Sequence, residues 1–197
     1  MLEERGDAAA RVNLGVVLEQ AGDPQAASGL YRAALAKAPH HEPARLNLAE
    51  LLGRQGTLDE AEELVREGLE IDPGSPRAWA VLASLLERRG DLPAAAEAWQ
   101  RAVDLDPDQA ASANNLGFAL ERLGRLDEAS TWYLRSLEND PTYPLPYFNL
   151  ADLALQQGQP EQAIPLYRAG LELAPGNEQA RENLALAMGA VGGSAEP

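Results

Sequence analysis

The chain has 197 residues, 45% of them hydrophobic, enough apolar material for a packed core in one or two domains. Its 16 basic and 31 acidic residues leave a net charge of −15. That balance disfavours nonspecific binding to nucleic acid or anionic lipid, because phosphate neutralisation needs clustered cations. With no cysteine, disulfides, thiolate zinc sites, iron–sulfur clusters and thiol nucleophiles are all excluded.

The first residues, MLEERGD, lack the apolar core of a signal peptide, and 1–7 reads as a short leader. No run of about 18 apolar residues follows, so no membrane-spanning helix or direct membrane insertion is expected. As written the chain reads as soluble, with the cytoplasm favoured, although it could be a piece of a larger or exported protein. Lys37 is the only lysine beside abundant arginine and alanine, a bias that points to a GC-rich, bacterial genome.

From residue 8 the sequence is periodic. Pro39, Pro73, Pro107, Pro141 and Pro175 are spaced by 34, as are Gly22, Gly56, Gly90, Gly124 and Gly158. Ala27, Ala61, Ala95, Ala129 and Ala163 keep the same interval, and so do Leu14, Leu48, Leu82, Leu116, Leu150 and Leu184. Four series with one period define an internal repeat. Five units follow, 8–41, 42–75, 76–109, 110–143 and 144–177, with residues numbered below by position in the repeat.

Each unit predicts two helices. Apolar or small residues at positions 4, 7, 8 and 11 form an i, i+3, i+4, i+7 stripe, which in repeat 4 is Ala113, Leu116, Gly117 and Leu120. Glycine at position 15 ends the first helix with a left-handed cap. Asp23-Pro24 and Asp91 then open a second helix, with the acid as N-cap. Its stripe runs through positions 20, 24, 27 and 28, and proline at position 32 closes it. Residues 178–190 repeat the first-helix pattern with Leu184, Ala185 and Met188, and read as a capping helix. The tail 191–197 reads as flexible.

The series Leu116-Gly117, Leu120, Gly124, Ala129, Tyr133, Pro141 resembles the tetratricopeptide repeat (TPR) signature. The departures are mild. Position 4, aromatic in the family pattern, is Trp79 and Tyr147 but also Arg11, Arg45 and Ala113, and position 11 is leucine or Ala154. The resemblance implies an all-α fold, an α-solenoid whose antiparallel helix pairs build a right-handed superhelix. First helices would line its concave side, where proteins of this family bind extended peptides or partner helices.

At 100° per residue, positions 2, 6, 9 and 13 lie opposite the core stripe and would face that groove. Asparagine recurs at position 6 as Asn13, Asn47, Asn115, Asn149 and, in the cap, Asn183, broken only by Val81. Each carboxamide could bond the backbone of an extended peptide, as in the asparagine ladders of some TPR proteins, or equally bond a neighbouring helix. Arg54, Arg88 and Arg122 at position 13, with Arg77 at position 2, could grip carboxylates of a ligand. A cation in a last helical turn is also favoured by the helix dipole, and Glu19, Glu87 and Glu121 could neutralise the arginines. Phe118 at position 9 and Leu145 at position 2 form a candidate apolar anchor, whereas Phe148 at position 5 suits packing.

Some TPR domains clamp acidic chain termini with a lysine at position 5. Here that position holds Val12, Leu46, Ala80, Asn114 and Phe148, so that clamp is not expected. His40 and His41 sit in a turn without further ligands at a recognisable spacing, and no glycine-rich phosphate loop occurs. No metal, cofactor or catalytic residue is expected. The chain therefore reads as a non-enzymatic module or scaffold for a protein or peptide partner. The alternatives are a self-assembling homo-oligomer, with segment 1–7 as the inserting element, or a regulatory segment of a larger enzyme such as a glycosyltransferase.

Overall fold

A computed structural model describes the backbone from Leu2 to Gly193 and the side chains from Asp7 to Val191. Its described residues form eleven helices and fall into two compact units, one up to Leu105 and one from Asp106. The N-terminal unit holds three helical hairpins: α1 (Leu2–Gln20) with α2 (Pro24–Lys37), α3 (Glu42–Arg54) with α4 (Leu58–Ile71), and α5 (Pro76–Arg89) with α6 (Leu92–Leu105). The C-terminal unit holds α7 (Ala110–Arg122) with α8 (Leu126–Asn139) and α9 (Leu145–Gln156) with α10 (Pro160–Leu173). The helix α11 (Glu178–Gly193) packs on α10.

The glycine series sets every hairpin bend. All five have φ between +71° and +89°, a region where a Cβ costs about 1–2 kcal/mol. In the first bend Asp23 N–H donates to the Leu18 carbonyl at 2.9 Å and Gly22 N–H to Glu19 at 3.0 Å, a Schellman arrangement that the other four bends reproduce. Second helices open on caps where one is available. Asp23 Oδ1 accepts from Ala26 N–H at 3.0 Å, and Asp91 Oδ1 from Ala94 N–H at 3.2 Å. Each second helix stops two residues before its proline.

Packing needs one face more than the expected stripe. Positions 20 and 24 of the second helices are buried in all five repeats. On the first helices, positions 3 and 10 are buried too, as Ala44 and Leu51, Ala78 and Leu85, Ser112 and Ala119, Pro146 and Leu153. Within each unit a first helix thus presents positions 4, 8 and 11 to its own hairpin partner, and α3, α5 and α9 present positions 3, 7 and 10 to the preceding hairpin.

Two corrections follow from that second face. In α1 nothing described covers it, so Leu14, expected in the core, is 51% exposed and Val17 56%. In α11 no helix follows among the described residues, so Ala185 and Met188 are exposed, and the buried residues are Ala180 and Ala187 with Leu184 partly covered. The helix bounds also differ from the expected ones. Residues 2–7, read as a leader, run continuously into α1. The helix α11 runs past 190 to Gly193, and the remaining tail, 194–197, lies outside the described residues.

Candidate functional site

Where two faces of a first helix are committed to packing, positions 2, 9 and 13 are left outward, and position 6 is half-covered at Asn47, Asn115 and Asn149 and buried at Val81. Positions 2 and 13 are exposed in every repeat, and position 9 in all but Glu50, which is intermediate. The residues expected to face a ligand therefore share one accessible face within each unit.

In the N-terminal unit Asn47 Oδ1 accepts from Arg77 at 2.7 Å, and the Arg77 guanidinium also lies 3.7 Å from Glu50. Arg54 pairs with Glu19 of the preceding hairpin. Arg88 donates to the Gly53 carbonyl at 3.2 Å. Asn13 is exposed. Arg54, Arg77 and Arg88 stand around an open cavity of about 330 Å³ together with Glu50. Its floor is apolar: Ala80, Val81, Leu85 and the Trp99 ring. Val81, the residue that interrupts the asparagine series, thus lies where the surface is hollow.

In the C-terminal unit the asparagines bond one another. Asn149 Nδ2 donates to Asn114 Oδ1 at 2.8 Å, and Asn114 Nδ2 to Asn115 Oδ1 at 3.3 Å. Asn183 donates to Asp152 at 2.9 Å and accepts from Gln179 at 3.0 Å. Four of the five candidate asparagines therefore bond neighbouring side chains, three of them across helices. Phe118 is 42% exposed with the Arg122 guanidinium 5.8 Å above its ring, and Leu145 is 45% exposed. Phe148 is buried against Gly170.

A recurring pair went unnoticed in the sequence. The aromatic residue at position 24 bonds an acid of its own first helix: Tyr31 to Glu19 at 2.5 Å, Trp99 to Glu87 at 2.8 Å, Tyr133 to Glu121 at 2.6 Å, and Tyr167 to Asp152. The spacing of 12 between Glu and aromatic in three repeats was the available signal. It also assigns the position-12 glutamates: Glu19 bridges Tyr31 to Arg54, whereas Glu87 and Glu121 accept from aromatics. Burial, and then the bond to the carboxylate, pushes the phenols of Tyr31, Tyr133 and Tyr167 well above their ordinary range.

One of the two histidines has a local task. His41 Nδ1 accepts from Ala44 N–H at 3.2 Å and so caps α3, a role not expected from sequence. Among the described residues no group of three or more His, Asp or Glu is placed to hold a metal ion. No described helix is long and apolar enough to cross a membrane.

Stacked helical hairpins, each bent at a left-handed glycine, define a helical-repeat protein of the α-solenoid class. Three models described as tetratricopeptide repeat match residues 18–85, 81–144 and 132–164. The chain belongs to the tetratricopeptide repeat family and is a protein-interaction repeat scaffold. Members of that family are generally non-catalytic. Solved structures agree with the fold. Pseudomonas aeruginosa pilF is 20% identical with a TM-score of 0.83, covering 94% of this chain and 90% of its own. TTC0263, a thermophilic TPR protein in Thermus thermophilus, is 25% identical with a TM-score of 0.74, covering 92% and 98%. YrrB, a TPR protein with an unusual peptide-binding site, is 20% identical with a TM-score of 0.67, covering 89% and 91%. No curated protein matches the sequence.

Proposed function

We propose that the chain is a non-catalytic adaptor, and that the outward faces of its first helices bind an extended segment or a helix of a protein partner. The observation that carries this is the slot between position 9 of one repeat and position 2 of the next. In the N-terminal unit Glu50 and Arg77 fill it as an ion pair. In the C-terminal unit the same two positions hold Phe118 and Leu145, both more than 40% exposed. Large apolar side chains left open at a slot that is ionic between repeats 2 and 3 are anchor material, and half-buried Asn115 and Asn149 lie on the same helices.

The test is panning of a random linear peptide library against the whole chain, with affinities then measured on variants. Phe118→Ala with Leu145→Ala should weaken the recovered peptides about tenfold or more, about 1.4 kcal/mol. Leu134→Ala, also exposed but on α8, should change nothing. Peptides indifferent to Phe118, Leu145, Arg77 and Arg88 alike would remove the site from this face.

Self-association is a second reading, supported by the uncovered stacking face of α1. Leu14 and Val17 there occupy positions that are buried in the later repeats. A mass that rises with concentration, and falls back on Val17→Glu, would support it.

A further inference from the structure

The cavity of the N-terminal unit is more specific than an apolar anchor. Three arginines gather at its rim in a chain whose net charge is −15; Glu50 lines the cavity with them, Glu19 pairs with Arg54, and Glu87 accepts from Trp99. The floor is apolar because repeat 3 departs from its sister repeats. Ala80 replaces the larger Leu46, Asn114 and Phe148 of position 5, and Val81 replaces asparagine at position 6. Ser84 is small where Glu50, Phe118 and Asp152 stand at position 9. Three substitutions in one helix face open a pocket with a dry base and a cationic edge.

We infer that this pocket binds an acidic, extended stretch of a protein partner, reading an acid–x–apolar–x–acid pattern through Arg77, Arg88 and the Val81–Trp99 floor. This rests on the groove reading above and names the partner chemistry for its N-terminal unit. The spacing comes from the helices themselves. Arg77 and Arg88 are eleven residues apart on α5, about 16 Å along its axis. Their bonding partners on α3, Asn47 and Gly53, are six residues apart, about 9 Å. The two guanidinium groups are therefore held between those limits. In an extended chain, side chains at i, i+2 and i+4 point the same way, and the outer two are about 13 Å apart. Two carboxylates at that spacing reach both arginines while the middle side chain enters the pocket. A single carboxylate at a chain terminus reaches only one. Arg54 is already held by Glu19, so it contributes field rather than a contact.

The probe is a fluorescein-labelled nine-residue peptide with both ends blocked, two glutamates flanking a central leucine at that spacing, and serine elsewhere. Binding to the whole chain is read by anisotropy. Replacing both glutamates by glutamine, or the leucine by serine, should weaken binding at least tenfold, and moving the glutamates next to the leucine at least fivefold. Arg77→Gln with Arg88→Gln should abolish the preference for glutamate over glutamine. Val81→Asn, which installs the residue the sister repeats carry, should cost at least fivefold with the arginines untouched. Circular dichroism of each variant reports folding. Equal binding of the neutral peptide overturns the acidic-partner inference and leaves the groove reading standing. So does equal binding of a peptide whose one carboxylate is its free C-terminus. If the glutamate peptide does not bind while panned peptides do, the inference falls alone; if neither binds, both fall.

Discussion

Gly117 lies directly under the ring of Tyr133. A Cβ at Gly117 would meet the ring atoms Cδ1 and Cε1 at 2.8 Å and the Ala129 carbonyl at 3.1 Å. The first helix of repeat 4 therefore crosses its partner at a distance that only glycine allows. Gly29, by contrast, sits in α2 with nothing within 4 Å of the same hypothetical atom. Helix propensity alone favours alanine at both positions by up to about 1 kcal/mol. Gly29→Ala should accordingly gain up to that amount, whereas Gly117→Ala should lose about 1–3 kcal/mol through overpacking. Urea unfolding followed by circular dichroism measures both, and a stabilised Gly117→Ala would contradict the close crossing.

Arg45 is 7% exposed, and both terminal nitrogens of its guanidinium are hydrogen-bonded. It donates to the Pro39 carbonyl and to Glu67, each at 2.7 Å, and its stem lies over Gly68. The planar fork ties the turn between repeats 1 and 2 to α4. Lysine keeps the charge but not the fork, so Arg45→Lys should cost about 1.5–3 kcal/mol, the worth of a charge-assisted bond. The urea midpoint checks this, and an unchanged midpoint would make the fork dispensable.

Asn114 is 3% exposed and receives a hydrogen bond from Asn149 at 2.8 Å. Truncating Asn149 leaves a buried acceptor without that donor, a loss of about 1–3 kcal/mol. Replacing Asn114 by valine, the residue at the same position of repeat 1, removes the acceptor as well. The double variant Asn114→Val, Asn149→Ala should therefore be more stable than the two single losses added together, with a coupling above about 0.5 kcal/mol in a double-mutant cycle. Strict additivity would mean that the pair does not interact.

Alkaline pH should unfold the chain through its buried phenols. Tyr31, Tyr133 and Tyr167 are raised in the folded state by burial and then by their carboxylate partners, so the unfolded chain releases those protons first. Stability from this source is whole below the ordinary tyrosine value of about 10 and falls as pH climbs above it. The tyrosinate absorbance of these three rings should rise together with loss of helix. Full ionisation with helicity intact would refute the buried pairing.

The 34-residue period made the fold legible because each series marks a constraint internal to one hairpin. Gly124 needs a left-handed bend, Pro141 a stop, and Ala129 a close contact. What joins hairpin to hairpin was less visible. Ala44 and Leu51 are small or apolar without completing the stripe of their own helix, and their burial appears only when α3 has neighbours on both sides. For the same reason Met188 looked like core. The candidate site was legible as a list of outward positions, and Leu145, Phe118 and the arginines do lie there. Their grouping was not, since the pocket beside Arg88 depends on what Ala80, Val81 and Ser84 lack.

The five hairpin bends invite mirror-image chemistry. At Gly22, Gly56, Gly90, Gly124 and Gly158 the φ is positive and the residue is exposed. A D-alanine prefers that half of conformational space as an L-residue prefers the other. Installed by chemical synthesis at these exposed bends, it would restrict the unfolded chain, for about 0.4–1 kcal/mol per site. The bends share no partners, so the gains should add, to about 2–5 kcal/mol over all five. The residue that lets this chain turn is also the one at which its handedness can be reversed to the benefit of the fold.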